Sequence, residues 1–187
     1  MFATQLLNFL MSSHKYNYSK LSDTVYVAKN RVTTISQGDI TFLSNKALEL
    51  PEKKVRILLH GEPEKLLHEM LIAHTKGSYI QPHLNECSAK SFVVLSGTMV
   101  LVLYRKDGTI DEIIRLSASE YETDIMIRLN TPFYHTVLVL TETVVFLETI
   151  LGPHNSTCYA EFAPRPEEQE LADNYLAWLT KEVGIQE

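Results

Sequence analysis

Short apolar runs separated by turn-forming residues dominate the chain between residues 55 and 151. Apolar and β-branched residues fill 55–59, 67–74, 78–82, 91–95, 99–104, 110–116, 125–129, 136–140 and 143–151, each of strand length. Lys76-Gly77, Ser96-Gly97, Asn130-Thr131-Pro132 and Gly152-Pro153 punctuate them. The clearest turn signal is Asp107-Gly108, set between Leu103-Tyr104 and Ile110, which predicts a tight hairpin. Strands this short and this evenly spaced, with no long helices between them, predict an all-β barrel of two antiparallel sheets, of the jelly-roll kind.

The two ends of the chain read differently. Leu6, Leu7, Leu10 and Met11 fall on one helical face, so residues 1–12 predict an amphipathic helix. No Lys or Arg precedes that stretch, which argues against a signal peptide. A short strand follows at 24–27, then a turn at Gln37-Gly38-Asp39 and helical turns over 41–50, which stop before Pro51. The polar segment 51–54 breaks the pattern. At the other end, Pro166-Glu167-Glu168 opens a helix whose Leu171, Tyr175, Trp178 and Leu179 share a face and which Gly184 ends. The expected organisation is an N-terminal extension over 1–32, a barrel over 33–165 and a C-terminal helix over 166–187.

Composition narrows the class of function. The 187 residues carry 17 Lys+Arg against 23 Asp+Glu, a formal net charge of −6. Without a basic block such a chain is a poor partner for a phosphate backbone, so no nucleic acid is expected. Cys87 and Cys158 are too few for a disulfide framework and fit a reduced compartment. No apolar run reaches the roughly 20 residues that a membrane span needs. These features predict a single-domain cytoplasmic protein with no membrane partner.

Candidate chemistry is concentrated between Gly77 and Gly97. The spacing is Gly77, five residues, His83, one residue, Asn85, four residues, Lys90, six residues, Gly97. A second segment runs Asn130-Thr131-Pro132-Phe133-Tyr134-His135. The first resembles the leading cupin motif, Gly, His-x-His, Glu and Gly, with Asn85 at the second His and Lys90 at the Glu. The second resembles the other cupin motif with its His kept, while Asn130 and Pro132 stand at its turn positions. The stretches around His60 and His68-Glu69-Met70, and Glu148 with the tail to Pro164, resemble one branch, the WbuC-type cupin metalloproteins. That resemblance covers roughly residues 33–166. It implies a homodimeric cupin barrel with a three-His, one-Glu site for Fe, Mn, Zn or Ni, in proteins associated with surface-polysaccharide synthesis.

The residues present change that site. Side chains alternate across a strand, so His83 and Asn85 share a face, as do Lys90, Phe92 and Val94, and His135, Val137 and Val139. An ammonium repels a divalent cation and an amide is a weaker ligand than an imidazole. His83 and His135 are the candidate metal ligands, with Asn85 or Glu86 completing the set, and His74 and Glu148 within reach if their strands face inward. Alternatively the pocket holds no metal and binds an anionic sugar or sugar acid, with Tyr79, Gln81, Asn85, Lys90, Tyr134 and Glu148 lining it. A buried Lys90 needs a nearby carboxylate, for which Glu148 is the candidate. Two functions therefore stand side by side: a small-molecule-binding cupin with a degenerate metal site, and a metal-dependent sugar isomerase, epimerase or dioxygenase. A metal-free epimerase using His135 with Tyr134 is disfavoured, because adjacent strand residues face opposite ways. His60 and His68 read as hydrogen-bonded structural histidines, His14 and His154 as solvated ones, and Cys87 as a lone thiol.

Overall fold

Two sheets face each other in the computed structural model, which describes residues 18–86, 89–152 and 157–184. In chain order the elements are β1 (Tyr18–Lys20), β2 (Val25–Ala28), α1 (Gln37–Glu49), β3 (Lys54–Leu58), β4 (Leu67–Thr75), β5 (His83–Asn85) and β6 (Lys90–Ser96). There follow β7 (Thr98–Tyr104), β8 (Ile110–Ser117), β9 (Met126–Leu129), β10 (Tyr134–Val139), β11 (Thr143–Leu151), β12 (Thr157–Tyr159) and α2 (Gln169–Glu182). One sheet has the order β1-β2-β3-β4-β11-β6-β9, antiparallel except where β2 meets β3. The other has the order β12-β5-β10-β7-β8 and is antiparallel throughout. Strands adjacent in sequence cross repeatedly between the sheets, as in a jelly-roll barrel. The protein is an all-β, single-domain barrel of two sheets with short helices.

The core sits between the sheets, and the pleat decides which residues reach it. Met70 and Ile72 of β4, Phe92 and Val94 of β6, Leu101 and Leu103 of β7, Val137 and Val139 of β10, and Phe146 of β11 all bury into one cluster. The intervening residues face outwards, but two helices cover them. Leu71 and Ala73 meet Ile40, Leu43 and Ala47 of α1, while Val100, Val102 and Leu138 meet Leu179 of α2. Double coverage explains why β4 and β7 read as continuous apolar runs rather than alternating ones.

Several expectations are corrected by the chain's local chemistry. Residues 78–82 form no strand: Pro82 has no N–H to give a ladder, and the Gln81 amide is turned to the Ala160 and Ala163 carbonyls. The supposed turn at Gln37-Gly38-Asp39 is the first turn of α1. Ser36 is its N-cap and forms a capping box with Asp39, a Ser-x-x-acid signal that reading the glycine as a breaker concealed. The C-terminal helix opens later than expected, at Gln169, after Glu168 accepts a bond from the Arg165 N–H (2.8 Å). The short strands β1, β5 and β12 are additions to the expected set. The expected helix over 1–12, His14, Cys87, Pro153 and His154 lie outside the described residues.

Gly97 joins β6 to β7 at φ +78°, and a Cβ there would lie 2.3 Å from the Thr143 carbonyl oxygen and 2.6 Å from Thr141 Oγ1. Gly184 has a similar φ of +72° but no atom within 4 Å of where its Cβ would be. Gly97→Ala is therefore expected to cost roughly 2 kcal/mol or more in denaturant unfolding, and Gly184→Ala only about 1 kcal/mol. Equal losses for the two variants would show that the backbone crowding at the β6–β7 turn is unimportant.

Candidate functional site

Four strands bring the site together inside the barrel. β5 and β10 pair so that His83 lies directly opposite His135, with ring centroids 4.6 Å apart. Each imidazole is oriented by its own backbone: Nδ1 of His83 donates to the Gln81 carbonyl at 3.0 Å, and Nδ1 of His135 to the Phe133 carbonyl at 2.9 Å. A carbonyl can only accept, so in each neutral ring Nε2 keeps the lone pair. Lys90, on β6, donates from Nζ to His135 Nε2 at 3.1 Å and lies 3.4 Å from Glu148 Oε1 on β11. Its ammonium also stands 5.2 Å from the centre of the Phe92 ring.

Burial sets the protonation of this group. His135 is 3% exposed, and its pKa is held well below the ordinary range by burial first, then by Lys90 and His83. The ring is thus neutral and acts as acceptor for an ammonium that is only 4% exposed. Lys90 and Glu148 compensate each other's charge, as a buried pair must.

A cavity of about 350 Å³ opens beside this floor. Tyr79, Gln81, His83, Asn85, Lys90, His135 and Glu148 line it, as does His74, whose strand faces inward with Met70 and Ile72. Several of these carry structural bonds. Asn85 Nδ2 donates to Thr157 Oγ1 (3.3 Å), the Tyr79 hydroxyl to the Pro164 carbonyl (2.7 Å), and the Gln81 amide to the Ala160 carbonyl (3.2 Å). Two expected residues are elsewhere. Tyr134 precedes inward-facing His135, so it points out and packs edge-on against Phe162 under α2. Glu86 follows inward-facing Asn85 and is exposed. Neither lines the cavity.

Sequence reasoning missed Lys54 and Arg56, which line the same cavity from β3. The alternation Lys54-Val55-Arg56-Ile57 shows that they share a face; only the pairing of β3 with β4 shows that this face is the lumen. His60 and His68 form a separate stack, 4.1 Å between centroids, with ring nitrogens on the Glu69 and Pro63 carbonyls. These bonds fit a structural role.

The resemblance implies a divalent metal here, and the donor set does not fit one. Nε2 of His135 is engaged by Lys90, the neighbouring position is an amide tied to Thr157, and an ammonium fills the carboxylate's corner. Among the described residues no group of three or more His, Cys, Asp or Glu side chains is arranged to hold a metal ion.

Two measurements follow from this geometry. Lys90→Glu is expected to gain stoichiometric divalent metal on elemental analysis, with wild-type protein as the reference; no gain would mean the ammonium is not what occupies the ion's corner. The second concerns His74, buried, with Nδ1 unpartnered among the described residues and its pKa pushed down to about 3 by burial, then by Lys54, Arg56 and His83. A histidine neutral in the fold and protonated when unfolded gives stability that is complete above about pH 6.5 and declines as pH falls toward 3. His74→Leu is expected to flatten the loss of unfolding free energy between pH 6.5 and 4.5 by roughly 1 kcal/mol per pH unit. An unchanged slope would contradict a neutral His74.

Comparison with known proteins leaves function open. A family model described as a domain of unknown function (DUF6016) matches residues 35–116. No curated protein matches the chain. Among solved structures, an oxalate oxidase is similar at 8% identity and a TM-score of 0.47, covering 72% of this chain and 74% of its own. Procruciferin, an 11S globulin from Brassica napus, aligns at 11% identity and a TM-score of 0.48 over 59% of this chain and 28% of its own. Bacillus subtilis oxalate decarboxylase aligns at 16% identity and a TM-score of 0.47 over 73% of this chain and 38% of its own.

Proposed function

We propose that the barrel binds an anionic, polyhydroxylated small molecule, a sugar acid or an anionic sugar, without a metal and without turning it over. The observation that carries this reading is the charge of the cavity wall. Lys54, Arg56 and Lys90 line it, against one carboxylate among the described residues, that of Glu148, in a chain whose formal net charge is −6. A positive lumen within a negative protein attracts small anions selectively. Its volume of about 350 Å³ lies in the range of small-ligand pockets. The polar floor and the aromatic face of Tyr79 suit a sugar ring, and the WbuC-type resemblance points to polysaccharide synthesis.

Binding rather than catalysis is favoured by the state of His135. Its Nδ1–H is given to Phe133 and its Nε2 accepts from Lys90, so both nitrogens are engaged before any substrate arrives. General acid–base work needs a nitrogen that can reach the substrate proton.

The test is a thermal-shift series with glucuronate and galacturonate against glucose and galactose at equal ionic strength. The acids are expected to raise Tm in a concentration-dependent way and the neutral sugars to do so far less. Lys90→Met/Glu148→Gln, which removes the pair together and avoids a stranded buried charge, is expected to weaken the response to every sugar. No shift with either uronate or with glucose 6-phosphate at ten-millimolar concentration would reject the reading.

A further inference from the structure

Lys54 and Arg56 stand on the lumen-facing side of β3. Val55 and Ile57 of β3 pack against α1, so the alternate residues Lys54, Arg56 and Leu58 turn to the lumen. The register agrees: Lys54 pairs with His74, Arg56 with Ile72 and Leu58 with Met70, and directly paired residues share a face. Both cations are exposed, both line the cavity, and neither takes part in an ion pair among the described residues. Behind them His74 is 9% exposed, lines the same cavity and has no partner for Nδ1 among the described residues.

The floor offers a different environment. Lys90 is already matched by Glu148 at 3.4 Å and by His135 at 3.1 Å. An anion brought to that ammonium would also meet the Glu148 carboxylate and would give up all of its water. At the rim two uncompensated cations remain wet, and a guanidinium matches the two oxygens of a carboxylate or phosphate. Pairing separates the two regions. Row by row, Arg56 aligns with Ile72 and Phe146, while Lys90 aligns with Ile150, four positions further along β11 and three strands across from β3. Four positions correspond to roughly 13 Å along the strand.

Resting on the proposed binding of an anionic sugar, we infer that Lys54 and Arg56, with His74 behind them, form the station that takes the ligand's charged group. The Lys90–Glu148–His135 set is then a neutral floor that takes hydroxyls. The ligand lies lengthwise in the lumen with its carboxylate or phosphate at the β3 rim. This reverses the expectation that Lys90 itself grips the anion.

Titration calorimetry on the full chain tests the assignment with glucuronate, its neutral isostere glucuronamide, and glucose 6-phosphate. Wild-type protein is expected to prefer the acid to the amide by tenfold or more. Lys54→Gln/Arg56→Gln, two exposed positions that leave the core untouched, is expected to abolish that preference while leaving glucuronamide binding intact. Lys90→Met/Glu148→Gln is expected to weaken acid and amide alike. Whichever of glucuronate and glucose 6-phosphate binds more tightly identifies the charged group, and loss of that binding in the rim variant supports the station. A rim variant that keeps the full preference, with the floor variant losing it, would overturn the inference and leave the binding proposal standing. If no anion binds the wild-type protein, the binding proposal itself falls and the inference with it.

Discussion

A buried ammonium held between an imidazole and a carboxylate organises the interior of this barrel. Lys90 comes from β6, His135 from β10 and Glu148 from β11, so the three groups tie both sheets across the lumen. Desolvating a lysine is expensive, and the mutual attraction with Glu148 offsets that cost only because further donors and acceptors are satisfied. The Phe133 carbonyl supplies one such condition by fixing the His135 tautomer, which leaves Nε2 to accept from Lys90. Removing one member of such a set typically costs about 3–5 kcal/mol, because its partner is left charged in a dry site. The group is therefore a structural constraint in its own right, whatever the cavity binds.

That constraint divides the cavity electrically. The floor holds a compensated pair and the neutral ring of His135, whereas the β3 rim holds Lys54 and Arg56 with no carboxylate paired to them among the described residues. The depressed pKa of His74 is a second sign of the same field. Burial is its largest cause, and Lys54, Arg56 and His83 add to it. A neutral imidazole beside exposed cations can offer a hydrogen bond to an incoming oxygen without adding charge of its own.

Much of this arrangement was legible before any coordinates, and the parts that were not share a cause. Period-two alternation placed Lys90, Phe92 and Val94 on one face, and His135, Val137 and Val139 on another, as the core cluster and cavity now show. The same rule, applied to Tyr134 and Glu86, would have turned both away from the lumen. Residues 78–82 looked like a strand because their composition is right, but strand formation needs free N–H groups in register, and Pro82 interrupts them. The α1 start was hidden because Gly38 reads as a turn unless the Ser36–Asp39 cap is weighed first. Lys54 and Arg56 were invisible for a deeper reason. Their alternation is local, but whether that face looks into the lumen depends on a partner strand 10 or more residues away.

The two histidines are held in position without an ion. In both, Nδ1 donates to the carbonyl two residues earlier, Gln81 for His83 and Phe133 for His135. Ring orientation is therefore fixed by the strand's own backbone, much as outer-shell bonds orient ligands in metal sites. Because no ion is needed to hold the rings, a change of the carboxylate corner to lysine leaves their geometry in place. Lys90 supplies a positive charge between the rings and the Glu148 carboxylate, and His135 is its acceptor. Glu148, already facing that corner from β11, provides the counter-charge, so the exchange does not strand a bare ammonium in the core. The inward-facing polar residues are thus held by one another and by the backbone, which leaves their donors in place for the oxygens of the small anion proposed above.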